Sequence, residues 1–590
     1  LPPLPTLNTV AQPISLHTGI SGILSSFRSP PFAKICGRTK RPRLLEHPHV
    51  ANMEWVEAAG NGYHHFFGMP LRARRPFLSS PYQFTEAVFS AILYELSIIS
   101  MSQKIKDFLF KNTTTKQTVA KNTVWLSISQ FGARIFKAFI IIYAARVLGA
   151  AGYGIFSYVV TLAGFFGIFV DLGINSVLIR DGSKASPEER QSLFSTTLIM
   201  KAIAIAASVL IVMFVAPLFS TLPGAIMLLP LLALIIIFDN TRDFLAALFR
   251  AEEKMEWDAA SFLLENFSIA IIGFIFLKIS ATPKSFTEAY VIGTAIGALT
   301  AIWLLRGRFK NIFAGASAKR MIAIIKIAWP FAITGALGVL LTSIDILIIS
   351  WMKTAADVGI YSAAIRIVQV LYMMPGIIQI STLPLLARLA KHDNAKFRIV
   401  LERTLVFIFL FSIPLSLGGI ILGTQIMGFV FGSTYAVGGL ALSILMLNLS
   451  FDYAGSIVAS GIFAYDHQKN LIISSAIAGA ANVLFDILLI PRWGMTGSAV
   501  ATLIAQILGN TYLWYAMKKL NPFSVFPQLG RIIGAGVAMA VVTILLSMAG
   551  VAVLVNIVAS AAVYTAMLFL FKEPLLGEIK SMVGIGAGNN

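Results

Sequence analysis

The chain is poor in charge. Of its 590 residues only 12% are Asp, Glu, Lys or Arg, about half the share of an ordinary soluble domain. That shortage excludes a soluble enzyme, a nucleic-acid binder and a disordered scaffold. Cysteine is nearly absent: the single Cys36 allows neither a disulfide framework nor a Cys-based metal site. Histidine is scarce in the body of the chain, where His392 and His467 stand beside charged loop residues, the setting of exposed polar groups. Also missing are a Gly-rich phosphate loop, a clustered metal-ligand spacing and a nucleophile elbow. The chain is therefore expected to be no enzyme, to hydrolyse no ATP and to carry no cofactor, and nucleic acid is not an expected partner.

Apolar residues make up 57% of the sequence, and the mean hydropathy is +0.80. From Asn122 onward, apolar stretches of about 20 residues alternate with short polar breaks, the length that crosses a hydrocarbon core as a helix. Fourteen such spans are expected: 122–148, 153–179, 191–216, 224–249, 258–279, 286–306, 322–352, 357–387, 399–422, 436–463, 468–490, 495–517, 528–549 and 551–571. They are too long and continuous for the alternating strands of an outer-membrane barrel. The fold class is all-α and polytopic.

The excess of 46 basic over 27 acidic residues reads as topology. With the N-terminus inside, one set of loops carries Arg180, Lys184, Arg190, Arg250, Lys254, Arg306, Arg308, Lys310, Lys319, Arg320, Arg388, Lys391, Lys396, Arg398, Lys469, Lys518, Lys519 and Arg531. The other carries Lys278, Lys284, Lys353 and Arg492, with Arg146 near one edge. By the positive-inside rule both termini face the cytoplasm, in a cytoplasmic membrane.

Residues 1–100 are a different text, rich in Pro and Arg, as in Arg38-Thr-Lys-Arg-Pro-Arg43 and Arg72-Ala-Arg-Arg75, with no spanning run and no signal-peptide order. They are expected to be translated upstream sequence or a basic extension. Met101 opens a cytoplasmic lead over 101–121.

An internal repeat divides the body. Residues 150–157 read Ala-Ala-Gly-Tyr-Gly-Ile-Phe-Ser and 355–362 read Ala-Ala-Asp-Val-Gly-Ile-Tyr-Ser. Each sits in the first hairpin of a set of six spans, so the halves share one topology about an axis along the membrane normal. The expected organisation is an N-lobe over 122–306, a basic linker at 307–321, a C-lobe over 322–519, two further helices in 520–572 and a cytoplasmic tail at 573–590.

Three stretches carry a family resemblance. Ala145-Arg-Val-Leu-Gly-Ala-Ala-Gly-Tyr-Gly-Ile-Phe156, following a first span that begins Asn122-Thr-Val-Trp, resembles the polysaccharide-biosynthesis flippases. These are the O-antigen and lipid-linked-oligosaccharide exporters of the multidrug/oligosaccharidyl-lipid/polysaccharide superfamily. Asp171-Leu-Gly-Ile-Asn175 and Ile490-Pro-Arg-Trp-Gly-Met-Thr-Gly-Ser-Ala-Val-Ala-Thr502 are similar to the same family, with Asp486 where a polar Asn is expected. The resemblance covers roughly 115–572. It implies translocation of a polyprenyl-(pyro)phosphate-linked saccharide by alternating access, driven by an ion gradient or the membrane potential. Membrane lipid, a polysaccharide polymerase and glycosyltransferases are the implied partners. A cation-coupled multidrug exporter on the same fold is the alternative, and a non-transporting membrane scaffold a third.

Intramembrane charges are the candidate functional residues, since each costs about 2.5–3.5 kcal/mol at a helix centre. Arg134 and Lys137 share one face of the first span. Together with Arg366 and Lys201 they are the cations expected to line a central cavity, where fixed positive charge replaces the hydration of a crossing phosphate. Asp345 and Asp171 are ion-coupling candidates, for Na⁺ or H⁺. Asp239, Arg242 and Asp243 form a compact cluster expected to act as a cytoplasmic gate or a clamp between lobes. Glu265, Asp452 and Asp486 are further acids inside spans. Pro330, Pro375 and Pro414 are candidate hinges, because proline removes a backbone bond from its helix.

Overall fold

The structure, a computed structural model, describes residues 114–307 and 315–575. The basic extension, most of the cytoplasmic lead, the middle of the linker with Arg308 and Lys310, and most of the tail lie outside these residues. Among the described residues there are helices and no strands.

In chain order the helices are α1 (Thr115–Asp171), α2 (Ile174–Gly182), α3 (Pro187–Phe214), two single turns α4 (Ala216–Phe219) and α5 (Pro223–Ile226), α6 (Leu229–Ala251), α7 (Met255–Ile279), α8 (Pro283–Leu304), α9 (Ala318–Met352), α10 (Ala355–Leu371), α11 (Met373–His392), α12 (Asn394–Phe431), α13 (Gly439–Ala464), α14 (Gln468–Leu520), α15 (Gly530–Met548) and α16 (Val553–Leu570). Eleven stretches are long and apolar enough to cross a membrane. Two of them are double. α1 has 57 residues, about 85 Å at 1.5 Å per residue, nearly three times a hydrocarbon core of about 30 Å. It turns at Gly149, whose φ of 67° favours glycine. α14 turns in the same way at Gly494, with φ 56°. α6, 23 residues long, falls outside the eleven and carries Asp239, Arg242 and Asp243. With these three, the architecture is consistent with fourteen passes.

The two halves meet through their repeated segments. A Cβ built on Gly154 would lie 1.8 Å from the Ala355 carbonyl oxygen, and one on Gly359 would lie 2.0 Å from the Ala150 carbonyl oxygen. The first turn of span 2 thus touches the first turn of span 8, each repeat seating the glycine of the other. Within the N-lobe, Phe136 packs on Phe267 and Tyr143 on Phe274, with centroids 5.4 and 5.0 Å apart. The same seven-residue step on both spans makes spans 1 and 5 parallel, as the alternation of passes requires.

Two spans bend where their residues give cause. Span 2 breaks after Asp171: Leu172 has φ 43° and Gly173 φ 78°, before α2 resumes. Span 8 breaks at Tyr372, between α10 and α11, so Pro375 sits in the first turn after the break, where a missing N–H costs nothing. α9 runs from lobe to lobe. Ile324 and Ala328 pack with Val177, Phe194 and Phe244 of the N-lobe, and Ile346–Ile349 pack in the main core. Between them Trp329, Phe331 and Ile333 are exposed, and nothing lies within 4 Å of a Cβ on Gly335 or Gly338. α9 and α12 run as unbroken helices through Pro330 and Pro414.

The described end of the linker is pinned to the N-lobe. The Ser192 hydroxyl donates to the Gly315 carbonyl at 2.6 Å, and Arg320 donates to Ser192 at 2.5 Å. Outside the spans, Asp393 caps α12 by accepting the Lys396 N–H at 2.9 Å, a bond that holds its carboxyl below the usual carboxylate range. The last two helices lean on span 9: Gly536 faces Ile413 and Leu417, and the Tyr564 hydroxyl donates to the Leu410 carbonyl at 2.8 Å.

Candidate functional site

Spans 1 and 5 of the N-lobe and span 8 of the C-lobe enclose a cavity of 670 Å³. Arg134 and Lys137 project into it from span 1, Asn266 and Phe262 from span 5, and Arg366 from span 8. Three of the four cations expected from the sequence therefore share one space. No carboxylate is among the residues that line it. Lys137 donates to the Tyr290 hydroxyl at 3.3 Å, and Arg366 donates to the Gln369 amide oxygen at 2.9 Å. Neither side chain forms an ion pair among the described residues, nor does Arg134. Three cations without an ion pair in a partly enclosed space are costly to keep, and the acid that acts on Lys137, Asp239, is not among the lining residues.

Lys201 is elsewhere. Its ammonium is buried and lies 2.9 Å from Asp171 Oδ1. Asp171 also accepts the Asn175 N–H at 3.3 Å. The expected cavity cation and the expected coupling acid are thus one ion pair, clasping the break in span 2 to span 3. Removing Lys201 leaves Asp171 unpaired, at less than the about 3–5 kcal/mol of a fully buried pair because the Asp171 side chain is 37% exposed. Lys201→Met is expected to lower the melting temperature clearly, while the double variant Lys201→Met/Asp171→Leu recovers most of the loss. A single variant as stable as wild type would refute the pairing.

The cluster on α6 is also paired differently from expectation. Arg242 lies 2.8 Å from Glu265 and 3.8 Å from Asp258, touches Asp243, and sits 4.7 Å over the Phe262 ring. Asp258 in turn holds Arg250 at 2.6 Å. Gly297 gives Glu265 its room, since a Cβ there would lie 2.6 Å from Oε2. These partners all belong to spans 4 and 5. The group ties two helices within the N-lobe and does not clamp the lobes together.

In the C-lobe a second space of 450 Å³ opens between spans 7, 8, 10, 11 and 12. Asp345 stands at one end. Its Oδ2 accepts from the Tyr361 hydroxyl at 2.5 Å and from the Thr502 hydroxyl at 2.9 Å. Asp486 neighbours it, fully buried. Five oxygens of this cluster are buried without a well-aligned hydrogen bond, namely Asp345 Oδ1, both carboxylate oxygens of Asp486, Asn482 Oδ1 and Ser498 Oγ, although Asp486 lies within hydrogen-bond reach of Asp345 and Ser498. Orphaned buried acceptors are rare, and a set composed only of oxygens is the donor set of a hard cation or a proton. Among the described residues no three His, Cys, Asp or Glu side chains converge as metal ligands.

At the other end of the same space stands Asp452, which accepts from the Asn448 amide at 2.8 Å and from the Tyr372 hydroxyl. The Tyr453 hydroxyl donates to the Leu371 carbonyl, freed by the break in span 8. The sequence marks Asp452 as an intramembrane acid but does not join it to Tyr372, 80 residues away.

The fold and the two polar spaces define a two-lobed, multi-pass helical membrane protein of the transporter type. Residues 119–390 match the family described as "Polysaccharide biosynthesis protein", in line with the resemblance read from the sequence. The chain is similar to the capsular polysaccharide biosynthesis protein CapF of Staphylococcus aureus, 23% identical over 414 residues, 68% of this chain and 100% of that one. It is similar to the probable low-salt glycan biosynthesis flippase Agl15 of Haloferax volcanii, 23% identical over 394 residues, 66% of this chain and 81% of that one. Among solved structures, lipid II flippase MurJ in an inward closed conformation superposes with a TM-score of 0.65 at 22% identity, over 77% of this chain and 100% of that one. That likeness shows the fold.

Proposed function

We propose that the protein carries the phosphate-bearing head of a polyprenyl-linked oligosaccharide across the cytoplasmic membrane, both termini facing the cytoplasm. The observation that carries this reading is the 670 Å³ cavity with Arg134, Lys137 and Arg366 on its wall and no carboxylate among its lining. A phosphate monoanion or diphosphate loses its water on entering hydrocarbon, and forked guanidinium bonds replace part of it. The polyprenyl tail stays in lipid. The relatives named for glycan flipping and capsular polysaccharide synthesis support the substrate class. A polysaccharide polymerase and glycosyltransferases are the expected neighbours in assembly.

The lobes rock about their contact. One group of interlobe bonds lies at one end: Tyr435 donates to the Ala145 carbonyl at 2.9 Å, Arg146 to the Val430 carbonyl at 2.8 Å, and Thr221 to the Ser350 carbonyl at 2.6 Å. These lie beside the Gly154–Gly359 crossing, on the side that carries few basic loop residues. The basic side is bridged by the start of α9, which packs on the N-lobe, so access from the cytoplasm requires the other spans to part there.

The Asp345–Asp486 cluster is the proposed coupling site, and Na⁺ is the ion its oxygens suit. Asn482, Ser498 and Thr502 complete the set. A ligand that binds only the folded state raises stability by mass action. The melting temperature is expected to rise in NaCl over choline chloride for wild type and to stay flat for Asp345→Asn and Asp486→Asn. A wild type indifferent to Na⁺ would leave proton exchange as the coupling.

The decisive experiment is translocation in proteoliposomes of purified full-length protein, with an external glycosidase reporting the exposed saccharide. Digestion beyond the protein-free level supports the flippase. The acidic C-lobe space is what a drug exporter would use for a cationic substrate. Efflux of a cationic dye without translocation of any lipid-linked saccharide would select that reading.

A further inference from the structure

The C-lobe space has a second end that ion coupling does not use. Around Asp452 stand Asn448, Asn510, Gln506, Gln369 and Tyr372, and no Lys or Arg is among the residues lining the space. Asn448 is 2% exposed, yet its Oδ1 is buried without a partner. Gly455 gives the Asn510 amide its place: a Cβ there would lie 1.9 Å from Asn510 Oδ1. The donors on Asp452 are the neutral amides of Asn448 and Asn510 and a neutral phenol, so no cation among the described residues compensates it. Amides and hydroxyls that both give and accept, set among Leu341, Leu445 and Leu513, match a polyol with apolar ring faces. Both tyrosine hydroxyls here are spent on acids, Tyr361 on Asp345 and Tyr372 on Asp452, which leaves the amides among the free polar groups of the space.

Position completes the argument. Gln369 and Tyr372 line this space and the cationic cavity alike, and Arg366 bonds to Gln369 at 2.9 Å. Positive charge lies on one side of that wall and negative charge on the other. In a lipid-linked saccharide the diphosphate and the first sugar are covalent neighbours, so adjacent subsites of these two kinds follow the order of the head. We propose that the C-lobe space is a sugar subsite, that it takes a neutral or N-acetylated sugar next to the diphosphate, and that Asp452 disfavours an acidic sugar there. This rests on the lipid-linked saccharide reading above.

The test measures binding to full-length protein in lipid nanodiscs with three probes: polyprenyl diphosphate, its N-acetylglucosamine adduct and its glucuronic acid adduct. For wild type the N-acetylglucosamine adduct is expected to bind about tenfold more tightly than the bare diphosphate, the yield of one or two well-placed hydrogen bonds. The glucuronic acid adduct gains nothing. Asn510→Leu removes the N-acetylglucosamine gain. Asp452→Asn, which keeps an acceptor for Tyr372, raises the affinity for the glucuronic acid adduct relative to the bare lipid, a gain that misfolding cannot imitate. Equal affinity for the three probes in wild type, or an unchanged ratio in Asp452→Asn, would overturn the subsite. Tetraphenylphosphonium binding that Asp452→Asn abolishes, without any sugar preference, overturns it in favour of an organic cation. The flippase reading fails separately, if the bare diphosphate binds equally well to Arg134→Ala/Lys137→Ala.

Discussion

Replacing Arg134 and Lys137 together by alanine will reduce translocation of a lipid-linked saccharide by about 10- to 100-fold, the range expected when one or two charge-assisted bonds to an anion are lost. Arg366→Ala alone is expected to cost about tenfold on the same grounds. The three side chains share one cavity wall and none is held in an ion pair among the described residues, so their removal breaks only the Lys137–Tyr290 and Arg366–Gln369 hydrogen bonds. The proteins should therefore fold and melt like wild type, in contrast to Lys201→Met, which strips Asp171 of its partner. Arg366→Lys keeps the charge but loses the fork that matches a phosphate, and is expected to fall between wild type and alanine. Translocation by the alanine variants at the wild-type rate would show that the phosphate crosses elsewhere.

The contrast between Arg366 and Lys201 shows what the sequence holds. An ionised side chain within a span carries a cost that something must relieve, and this much is legible from position alone. Which relief operates is not. Arg134 and Lys137 are three residues apart on one helix, so their common face follows from helical period. Lys201 is relieved by Asp171, 30 residues earlier on another span, and nothing local distinguishes that pairing from exposure to a cavity. The same limit applies to Arg242, whose partners Asp258 and Glu265 arrive from the next span.

The spans themselves were legible because length and hydropathy are local properties, and their breaks were partly so. Gly173 follows Asp171 by two residues, a signal for the bend in span 2. Pro375 announced a bend in span 8, but the break fell at Tyr372, because a proline fits the first turn of the helix that follows. The pinning of that break by Asp452 and Tyr453 is a contact between distant spans and has no local signature.

A side chain placed on Gly154 or Gly359 will hold the lobes apart at the end where they now touch. With 1.8 and 2.0 Å between a new Cβ and a backbone carbonyl oxygen, no rotamer relieves the clash, and the facing partner is backbone that cannot turn away. Overpacking of this kind costs about 1–3 kcal/mol at least. If only the closed arrangement pays it, the closed population falls by about 5- to 150-fold relative to the open one. Gly359→Val is expected to shift the protein towards the arrangement open at that end and to stop the cycle there. The observable is a single cysteine at Ser157, which is 1% exposed beside the crossing, in a chain whose one native cysteine, Cys36, is replaced by serine. A membrane-impermeant maleimide added from outside should label Ser157→Cys slowly in the wild-type background and about tenfold faster with Gly359→Val, the lower part of the range that a shift of 1–3 kcal/mol gives. Translocation should fall to the background in the same sample. Gly154→Val should act alike, because the repeat makes the contact reciprocal: each glycine seats the backbone that the other approaches. Slow labelling in both variants together with intact translocation would mean that the crossing is a fixed pivot, and that the lobes part without separating these two turns.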